Sequence, residues 1–223
     1  MRRFKLSDLF IGIIFTLLFI SLAVIITINF RPLYYMDIKL LNIEATSGLA
    51  KDEIIKNYNA LIDYSSPLFQ GNLVFPTLAA SRSGLSHFAE VKNLFTDFYI
   101  IGAMALILGI IIMVKKSKNK DYNYLFVSAI TAIVLPIILG FFMSLDFDRT
   151  FILFHKLFFN NNNWLFDPIT DPVINILPDT FFMHCAILIL LIVILFSIIF
   201  LTVYFLKKKR FSIKYRKNKG LKL

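Results

Sequence analysis

Four stretches of this sequence are long enough and apolar enough to cross a lipid bilayer, and they constrain its fold more than any other feature. A transmembrane helix needs about 20 predominantly apolar residues to cross a hydrocarbon core of about 30 Å. The four stretches cover approximately residues 9–30, 98–114, 124–145 and 181–206, and the second is the shortest. The hydrophobic content of 58% also exceeds that of an ordinary soluble domain. The sequence therefore predicts an all-α membrane protein, a single integral membrane domain over residues 1–223 with four transmembrane helices.

The first apolar stretch resembles a transmembrane helix more than a secretory signal. It is longer than the apolar region of a signal peptide, and the residues that follow it, Phe30, Arg31 and Pro32, do not form a small-residue cleavage site. We therefore expect this stretch to be a retained transmembrane helix.

Basic residues are concentrated in three segments of the chain. They precede the first apolar stretch, fill the short loop between the second and third, and crowd the tail at residues 207–223. The remaining loops, 31–97 and 146–180, together contain more acidic than basic residues. Because basic loops mark the cytoplasmic side of a membrane, we predict cytoplasmic termini and two long, partly helical extracytoplasmic loops. The net charge of +10 is then a topology signal and does not indicate nucleic-acid binding.

The first outer loop contains two segments with helical periodicity. Apolar residues recur at helical spacing over residues 49–64, and a second helix is predicted over residues 85–95 after the sequence SRSG. In this second helix His87 and Glu90 are three residues apart and share a face, so the carboxylate could orient the imidazole. The same spacing also fits an ordinary solvated pair.

The second outer loop begins with LDFDRT, in which Asp148 is the predicted N-cap of a short helix that ends near residue 159. Phenylalanine and isoleucine surround His155 at helical spacing on this helix. Desolvation would disfavour the imidazolium and leave a neutral ring that can accept a proton. A hydrogen-bonded core histidine is the alternative interpretation.

A polar segment follows this short helix and contrasts with the apolar sequence around it. Four asparagines at residues 160–163 precede Trp164, the only tryptophan, and two Asp-Pro pairs follow. Asparagine tolerates turn conformations and offers amide donors and acceptors, and tryptophan is typical of the membrane interface. We expect this segment to hold a polar site at the membrane surface.

Several common catalytic motifs are missing from the sequence. It contains no HExxH motif, no G-x-S-x-G motif and no phosphate-binding glycine loop. A metal site would require His87, His155 and His184 to converge with a carboxylate. The single cysteine, Cys185, excludes an intramolecular disulfide framework, and we interpret it as a helix-packing residue.

Three segments together resemble one known family. They are HFAEVKNLF at residues 87–95, LDFDRTFILFHKLFF at 145–159 and NNNWLFDPITDPVINILPDTFF at 161–182. With four apolar stretches at these positions, the chain resembles the bacterial lipoprotein intramolecular transacylases. The resemblance implies an enzyme that moves the sn-2 acyl chain of a diacylglyceryl-cysteine lipoprotein to the α-amino group of the same cysteine. The substrate would be a diacylated lipoprotein in the bacterial cell membrane, the active site would be extracytoplasmic, and no cofactor or metal would be needed.

The same resemblance implies roles for individual residues. The two essential histidines of the family correspond to His87 and His155, one acting as base and the other as electrophile or acid. We assign the base to His87 first, although the roles can be exchanged. Glu90, an orienting residue, stands where the family has aspartate. The residues expected to shape the site or bind substrate are Asn162, Asn163, Trp164 and Asp167, whereas His184 lies outside the segments that carry the family's catalytic residues.

Two other functions remain compatible with the residue pattern alone. The outer histidines could form the centre of a metal-dependent membrane hydrolase, which a chelator would inhibit. The chain could also be a non-catalytic membrane scaffold, in which single histidine substitutions would have little effect.

Overall fold

The computed structural model describes residues 5–218, and the regular structure in this range is helical. Arg2, Arg3 and residues 219–223 of the predicted basic tail lie outside the described residues. Four helices are long and apolar enough to cross a membrane, namely α1, α5, α6 and α8, which confirms the predicted all-α membrane fold. The helices are α1 (Leu6–Asn29), α2 (Arg31–Leu40), α3 (Ile43–Ser47), α4 (Lys51–Tyr64), α5 (Arg82–Lys118), α6 (Asn123–Leu145), α7 (Phe147–Phe158) and α8 (Asp179–Asn218), with a 3₁₀-helix at Pro172–Ile176 between α7 and α8.

The structure corrects the prediction of a separate helix over residues 85–95. This segment is the amino-terminal part of α5, which continues without interruption through the apolar stretch 98–114. Gly84 lies in the first turn of this helix, where its N–H donates to the Ser81 hydroxyl at 3.0 Å in the manner of an N-cap. Since no glycine or proline lies between residues 85 and 98, nothing stops the helix there.

The start of α7 is also different from the prediction. The N-cap is Asp146 and not Asp148, because the Asp146 carboxylate accepts a hydrogen bond from the Arg149 N–H at 3.0 Å. Asp148 lies in the first turn, where a negative charge is favourable at the positive end of the helix dipole. Both aspartates suit a helix start, and the end of α6 at Leu145 makes Asp146 the cap.

The chain contains two compact units, and the first comprises residues up to Ala23, Ile101–Leu139 and the residues from Leu190 onward. Its core is aromatic, with the Phe200 ring 4.9 Å from the rings of both Phe15 and Phe19. The ammonium of Lys116 contacts the carboxylates of Asp8 at 2.7 Å and Asp121 at 3.1 Å. Both carboxylates are buried, and pairing with the half-buried Lys116 avoids most of the cost of desolvating them singly.

The second unit comprises Val24–Ile100 and Gly140–Ile189 and has a core built around two tyrosines. The Tyr34 and Tyr58 rings stack with centroids 3.7 Å apart, and the Phe181 ring meets the Tyr34 ring edge-on at 5.0 Å. The buried Tyr34 hydroxyl donates to the Ile176 carbonyl at 2.7 Å. This core joins α2, α4, the 3₁₀-helix and the start of α8, and it fixes the segment that precedes α8.

A buried aspartate attaches the segment after α7 to the start of α5, within the second unit. The Asp171 carboxylate accepts a hydrogen bond from the Ser81 N–H at 2.7 Å. A Cβ at Gly84 would lie 2.2 Å from the Asp171 carboxylate, so this close approach requires glycine at position 84. The loop between α7 and the 3₁₀-helix is therefore held against the first turn of α5.

The charge asymmetry of the loops generates a topology prediction that the exposed loop residues can test. In a Cys185→Ser background, we expect Asn162→Cys to react with a membrane-impermeant thiol reagent in intact cells and Asn119→Cys to react only after lysis. Both positions are exposed, so a difference in labelling would reflect the side of the membrane. The opposite labelling pattern would reverse the predicted orientation.

Candidate active site

His87 lies in the amino-terminal part of α5 and is surrounded by aromatic rings. Its side chain is 5% exposed. The Phe159 ring meets the imidazole edge-on with centroids 4.8 Å apart, and the Phe166 ring does so at 5.6 Å. These rings come from the end of α7 and from the loop after it. The folded loop therefore provides the apolar surroundings of His87.

Two buried polar atoms, one of His87 and one of Glu90, have no hydrogen-bond partner among the described residues. They are Nδ1 of His87 and Oε2 of Glu90, and they lie 3.9 Å apart, beyond hydrogen-bond distance. The carboxylate predicted to orient the imidazole is thus next to it without being bonded to it. Because burial penalises charge, the resting His87 ring is expected to be neutral.

His155 lies on the buried face of α7, and one hydrogen bond defines its tautomer. Its Nδ1 lies 2.8 Å from the carbonyl oxygen of Phe151. A carbonyl can only accept, so Nδ1 carries the proton and Nε2 of the neutral ring keeps a free lone pair. Burial lowers the pKa of His155 below its ordinary value of 6.5, although the bond to the Phe151 carbonyl and the charge of Asp179 act in the opposite direction. His155 is therefore suited to accept a proton at neutral pH.

The two histidines come from separate elements and meet in the folded second unit. The centroids of the His87 and His155 rings are 5.8 Å apart. The Phe159 ring lies near both of them, at 4.8 Å from His87 and 5.7 Å from His155. The Trp164 indole covers His155 with centroids 4.8 Å apart. The structure thus brings together His87, His155, Glu90 and Trp164 from the residues named on sequence grounds.

Asn161 connects this group, and sequence reasoning did not single it out. Its side-chain amide donates to Oε1 of Glu90 at 2.8 Å. Its main-chain carbonyl accepts from the Trp164 indole N–H at 3.0 Å, and its side-chain oxygen accepts from the Asn163 N–H at 2.9 Å. The asparagine run was the available signal, but the sequence does not indicate which of four neighbouring asparagines faces the site.

The geometry can be compared with that of known proteins. The family model described as lipoprotein intramolecular transacylase Lit matches residues 9–182. A solved structure of the membrane integral lipoprotein intramolecular transacylase Lit from Bacillus cereus is similar to this chain with a TM-score of 0.89 and 34% identity, covering 93% of this chain and 98% of that one. The chain belongs to the Lit family.

Two further solved structures of the Bacillus cereus protein carry a substitution of one histidine. The arginine variant has a TM-score of 0.83 with 93% of this chain covered and 95% of that one, and the alanine variant has 0.84 with 92% and 94%, both at 34% identity. No curated protein sequence matches the chain. Membership makes this protein an acyltransferase of the membrane with a lipoprotein as its class of substrate.

Three residues expected to bind substrate have their contacts within the loop itself. Asn162 is exposed, and its carbonyl accepts from the Leu165 N–H at 3.1 Å. Asn163 donates its main-chain N–H to Asn161. Asp167 is exposed and its carboxylate accepts from the Ile169 N–H at 2.9 Å. These contacts shape the loop, and any role in substrate binding stays a prediction.

His184 has a partner of its own. Its Nδ1 lies 2.9 Å from each carboxylate oxygen of Asp37, which is 1% exposed. The neighbouring Cys185 packs against the core of the second unit, as expected for a helix-packing cysteine. Among the described residues, no three histidine, cysteine, aspartate or glutamate side chains are grouped to hold a metal ion.

The contact between the His155 and Trp164 rings generates a prediction about pH. Because Trp164 is the only tryptophan and an imidazolium quenches indole emission more than imidazole does, its fluorescence should decrease as His155 takes up a proton. The pKa of His155 is lowered by burial, so His155 stays neutral as the pH falls through 6.5 and gains its proton only below that value. We expect a fluorescence titration of the detergent-solubilised protein to have its midpoint below pH 6.5.

His155→Asn is the control for this titration, and it should remove the transition. A midpoint at or above pH 6.5, or the same transition in His155→Asn, would contradict the assignment.

Proposed function

We propose that this protein transfers the sn-2 acyl chain of a diacylglyceryl-cysteine lipoprotein to the α-amino group of the same cysteine, which yields the lyso-form lipoprotein. The observation that carries the proposal is the pair of buried imidazoles 5.8 Å apart, one of which has a free Nε2. Family membership supplies the lipoprotein and the intramolecular transfer. The residues supply groups for moving the proton that this transfer requires.

The reaction is an isomerisation, and its proton balance explains the need for two groups. The amine nitrogen attacks the ester carbonyl, a C–N bond forms, the C–O bond to glycerol breaks, and one proton moves from nitrogen to the glycerol oxygen. An α-amino group has a pKa of about 8 and must lose its proton before it can attack. A base within hydrogen-bond distance contributes typically about 10²- to 10⁴-fold to such a step.

The tautomer of His155 supports an exchange of the roles first assigned from the sequence. With its proton on Nδ1, His155 presents Nε2 as an acceptor and is the better candidate for the base. His87 is then the candidate for the group that stabilises the tetrahedral oxygen and, once it has gained the proton that His155 took from the amine, protonates the leaving oxygen. The Glu90 carboxylate, 3.9 Å from Nδ1 of His87, favours the protonated form of this ring during the reaction.

The aromatic surroundings suit an acyl transfer in which water must not compete. Phe159 and Phe166 flank His87, and Phe151 and Trp164 flank His155. Water at the tetrahedral centre would give hydrolysis, whereas a dry site leaves the substrate's own amine as the nucleophile. Since donor and acceptor belong to one molecule, correct placement supplies much of the acceleration. We propose that this site lies on the extracytoplasmic side, where lipoproteins carry their lipidated cysteine, and the loop charges favour this orientation.

The first prediction of this proposal concerns the mass of the product. Purified protein incubated with a synthetic diacylglyceryl lipopeptide should produce an N-acyl lyso-lipopeptide of unchanged mass, identified by fragmentation in mass spectrometry. A lipopeptide acetylated on its α-amine should remain unreacted, because it has no nucleophile. Release of free fatty acid as the main product, or activity that a chelator abolishes and zinc restores, would favour a hydrolase instead.

The second prediction concerns the histidines. We expect His87→Asn and His155→Asn each to lower turnover by at least about a hundredfold, the usual scale for a lost acid–base group. The double variant should be little worse than either single variant, because residues that act as a unit are not additive. Initial rates on the same lipopeptide would measure both effects.

His184→Asn is the matched control for this series. It replaces the imidazole bonded to the buried Asp37 by a shorter amide that donates a weaker hydrogen bond there, so we expect a loss of stability on the order of 1 kcal/mol, measured by thermal unfolding in detergent. The folded fraction should keep most of its turnover. Full activity of His155→Asn together with an inactive but folded His184→Asn would move the active site away from the pair proposed above.

A further inference from the structure

Asn161 makes hydrogen bonds that lead to both histidines. Through its side-chain amide it holds Glu90, which lies beside His87, and through its main-chain carbonyl it holds Trp164, which lies against His155. We infer that Asn161 is a positioning residue for the acyl transfer, which fixes Glu90 next to His87 and Trp164 against His155. This inference rests on the proposed function, because it assigns a role within that reaction.

The bond to Glu90 keeps a charged side chain in a place that it would otherwise leave. Glutamate has a long, flexible side chain, and a carboxylate is most stable in water. Glu90 nevertheless has its Oε2 buried and without a partner among the described residues, while Oε1 accepts from the Asn161 amide at 2.8 Å. This amide offsets the loss of solvation and fixes the plane of the carboxylate. Without it, Glu90 would rotate toward solvent and His87 would lose its acidic neighbour.

The free oxygen of Glu90 is close enough to act when His87 gains a proton. The distance of 3.9 Å between Oε2 and Nδ1 of His87 must shorten by about 1 Å to reach a normal hydrogen bond. A proton on Nδ1 of His87 attracts the Glu90 carboxylate. It also makes Nδ1 a hydrogen-bond donor to Oε2, so that both buried atoms gain a partner. A carboxylate held in this way stabilises the imidazolium and orients the ring, so that Nε2 faces the reacting groups.

The second connection of Asn161 fixes the position of the other imidazole. The His155 ring contacts the rings of Phe151, at 4.2 Å, and Trp164, at 4.8 Å. The Trp164 indole stays in place because its N–H donates to the Asn161 carbonyl, and the Asn161 side-chain oxygen closes the turn by accepting from the Asn163 N–H. These ring contacts and the bond from Nδ1 to the Phe151 carbonyl oppose any rotation of His155 that would turn its free Nε2 away.

The neighbouring asparagine provides a matched control. Asn160 is exposed, precedes Asn161 directly and has no role in the site as described above. Asn160→Asp and Asn161→Asp introduce the same charge at adjacent positions. A difference between them would therefore reflect the contacts of Asn161 and not the charge of the loop.

Asn161→Asp tests the connection to Glu90 with little change in shape. Aspartate keeps an oxygen for the Asn163 N–H but replaces the amide donor by a second carboxylate oxygen facing Glu90. We expect kcat on the diacyl lipopeptide to fall about tenfold to a hundredfold, the scale of a small misplacement of a catalytic group, with KM nearly unchanged. Asn160→Asp should have the kcat of the unsubstituted protein. Equal kcat values for all three proteins would overturn the inference.

A rescue experiment separates positioning from a general structural effect. In the double variant Asn161→Asp with Glu90→Gln, the glutamine amide can donate to the new carboxylate, which restores a hydrogen bond and the original net charge. The loss of activity in the double variant should then be smaller than the product of the two single losses, and the double variant should be about as active as Glu90→Gln alone. A double variant whose loss equals the product of the single losses would show that the two side chains act independently, contrary to the inference.

The connection to Trp164 has its own measurement. Asn161→Ala removes the oxygen that closes the turn, so the Trp164 emission should shift to longer wavelength and its response to His155 protonation should weaken. Asn161→Asp keeps that oxygen and should retain the original emission. Unchanged emission in folded Asn161→Ala would refute this part of the inference. Failure of the unsubstituted protein to isomerise the lipopeptide would instead contradict the proposed function, so the two failures are distinguishable.

Discussion

The hydrogen bond between the Asp171 carboxylate and the Ser81 N–H is the contact on which the candidate site depends. A buried carboxylate needs a partner, and the start of a helix offers unpaired N–H groups together with the positive end of the helix dipole. Gly84 makes room for the carboxylate, since a side chain there would collide with it. With this contact made, the loop after α7 lies over the first turns of α5 and brings Phe166 to His87.

The sequence predicted the architecture because hydropathy is a strong signal. The prediction of helix boundaries failed where an amphipathic pattern runs into a wholly apolar one. An amphipathic segment followed by a wholly apolar one looks like two helices, since the periodic pattern vanishes once every face is apolar. No breaker separates them, and α5 is one helix. At the start of α7 the pattern D-x-D offers two caps, and only the preceding helix decides between them. Which helices span the membrane was thus predictable, whereas the residues at which helices begin and end depended on the packed structure.

Within the candidate site, the parts that sequence could predict are those with a distinctive residue type. His87, His155 and Trp164 were singled out because histidine is rare in this chain, tryptophan is unique, and the family resemblance pointed to the first two. Asn161 was not distinguished from its neighbours, because the four asparagines differ only in the direction they face after α7 ends at Phe158. The pair of His184 and Asp37 had no signal at all, since 147 residues separate the partners and only the packing of α2 against α8 brings them together.

The three histidines show how surroundings separate a structural imidazole from one suited to chemistry. His184 has its Nδ1 bonded to a buried carboxylate, so it completes the solvation of Asp37 and its loss is expected to cost stability first. His87 and His155 are packed among aromatic rings that offer them few hydrogen bonds, an arrangement that lowers stability and is retained only if the neutral rings have a use. In the acyl transfer that we propose, that use is proton transfer in a dry space. A site of this kind needs no nucleophile of its own, which accounts for two imidazoles where a hydrolase would carry a serine or cysteine.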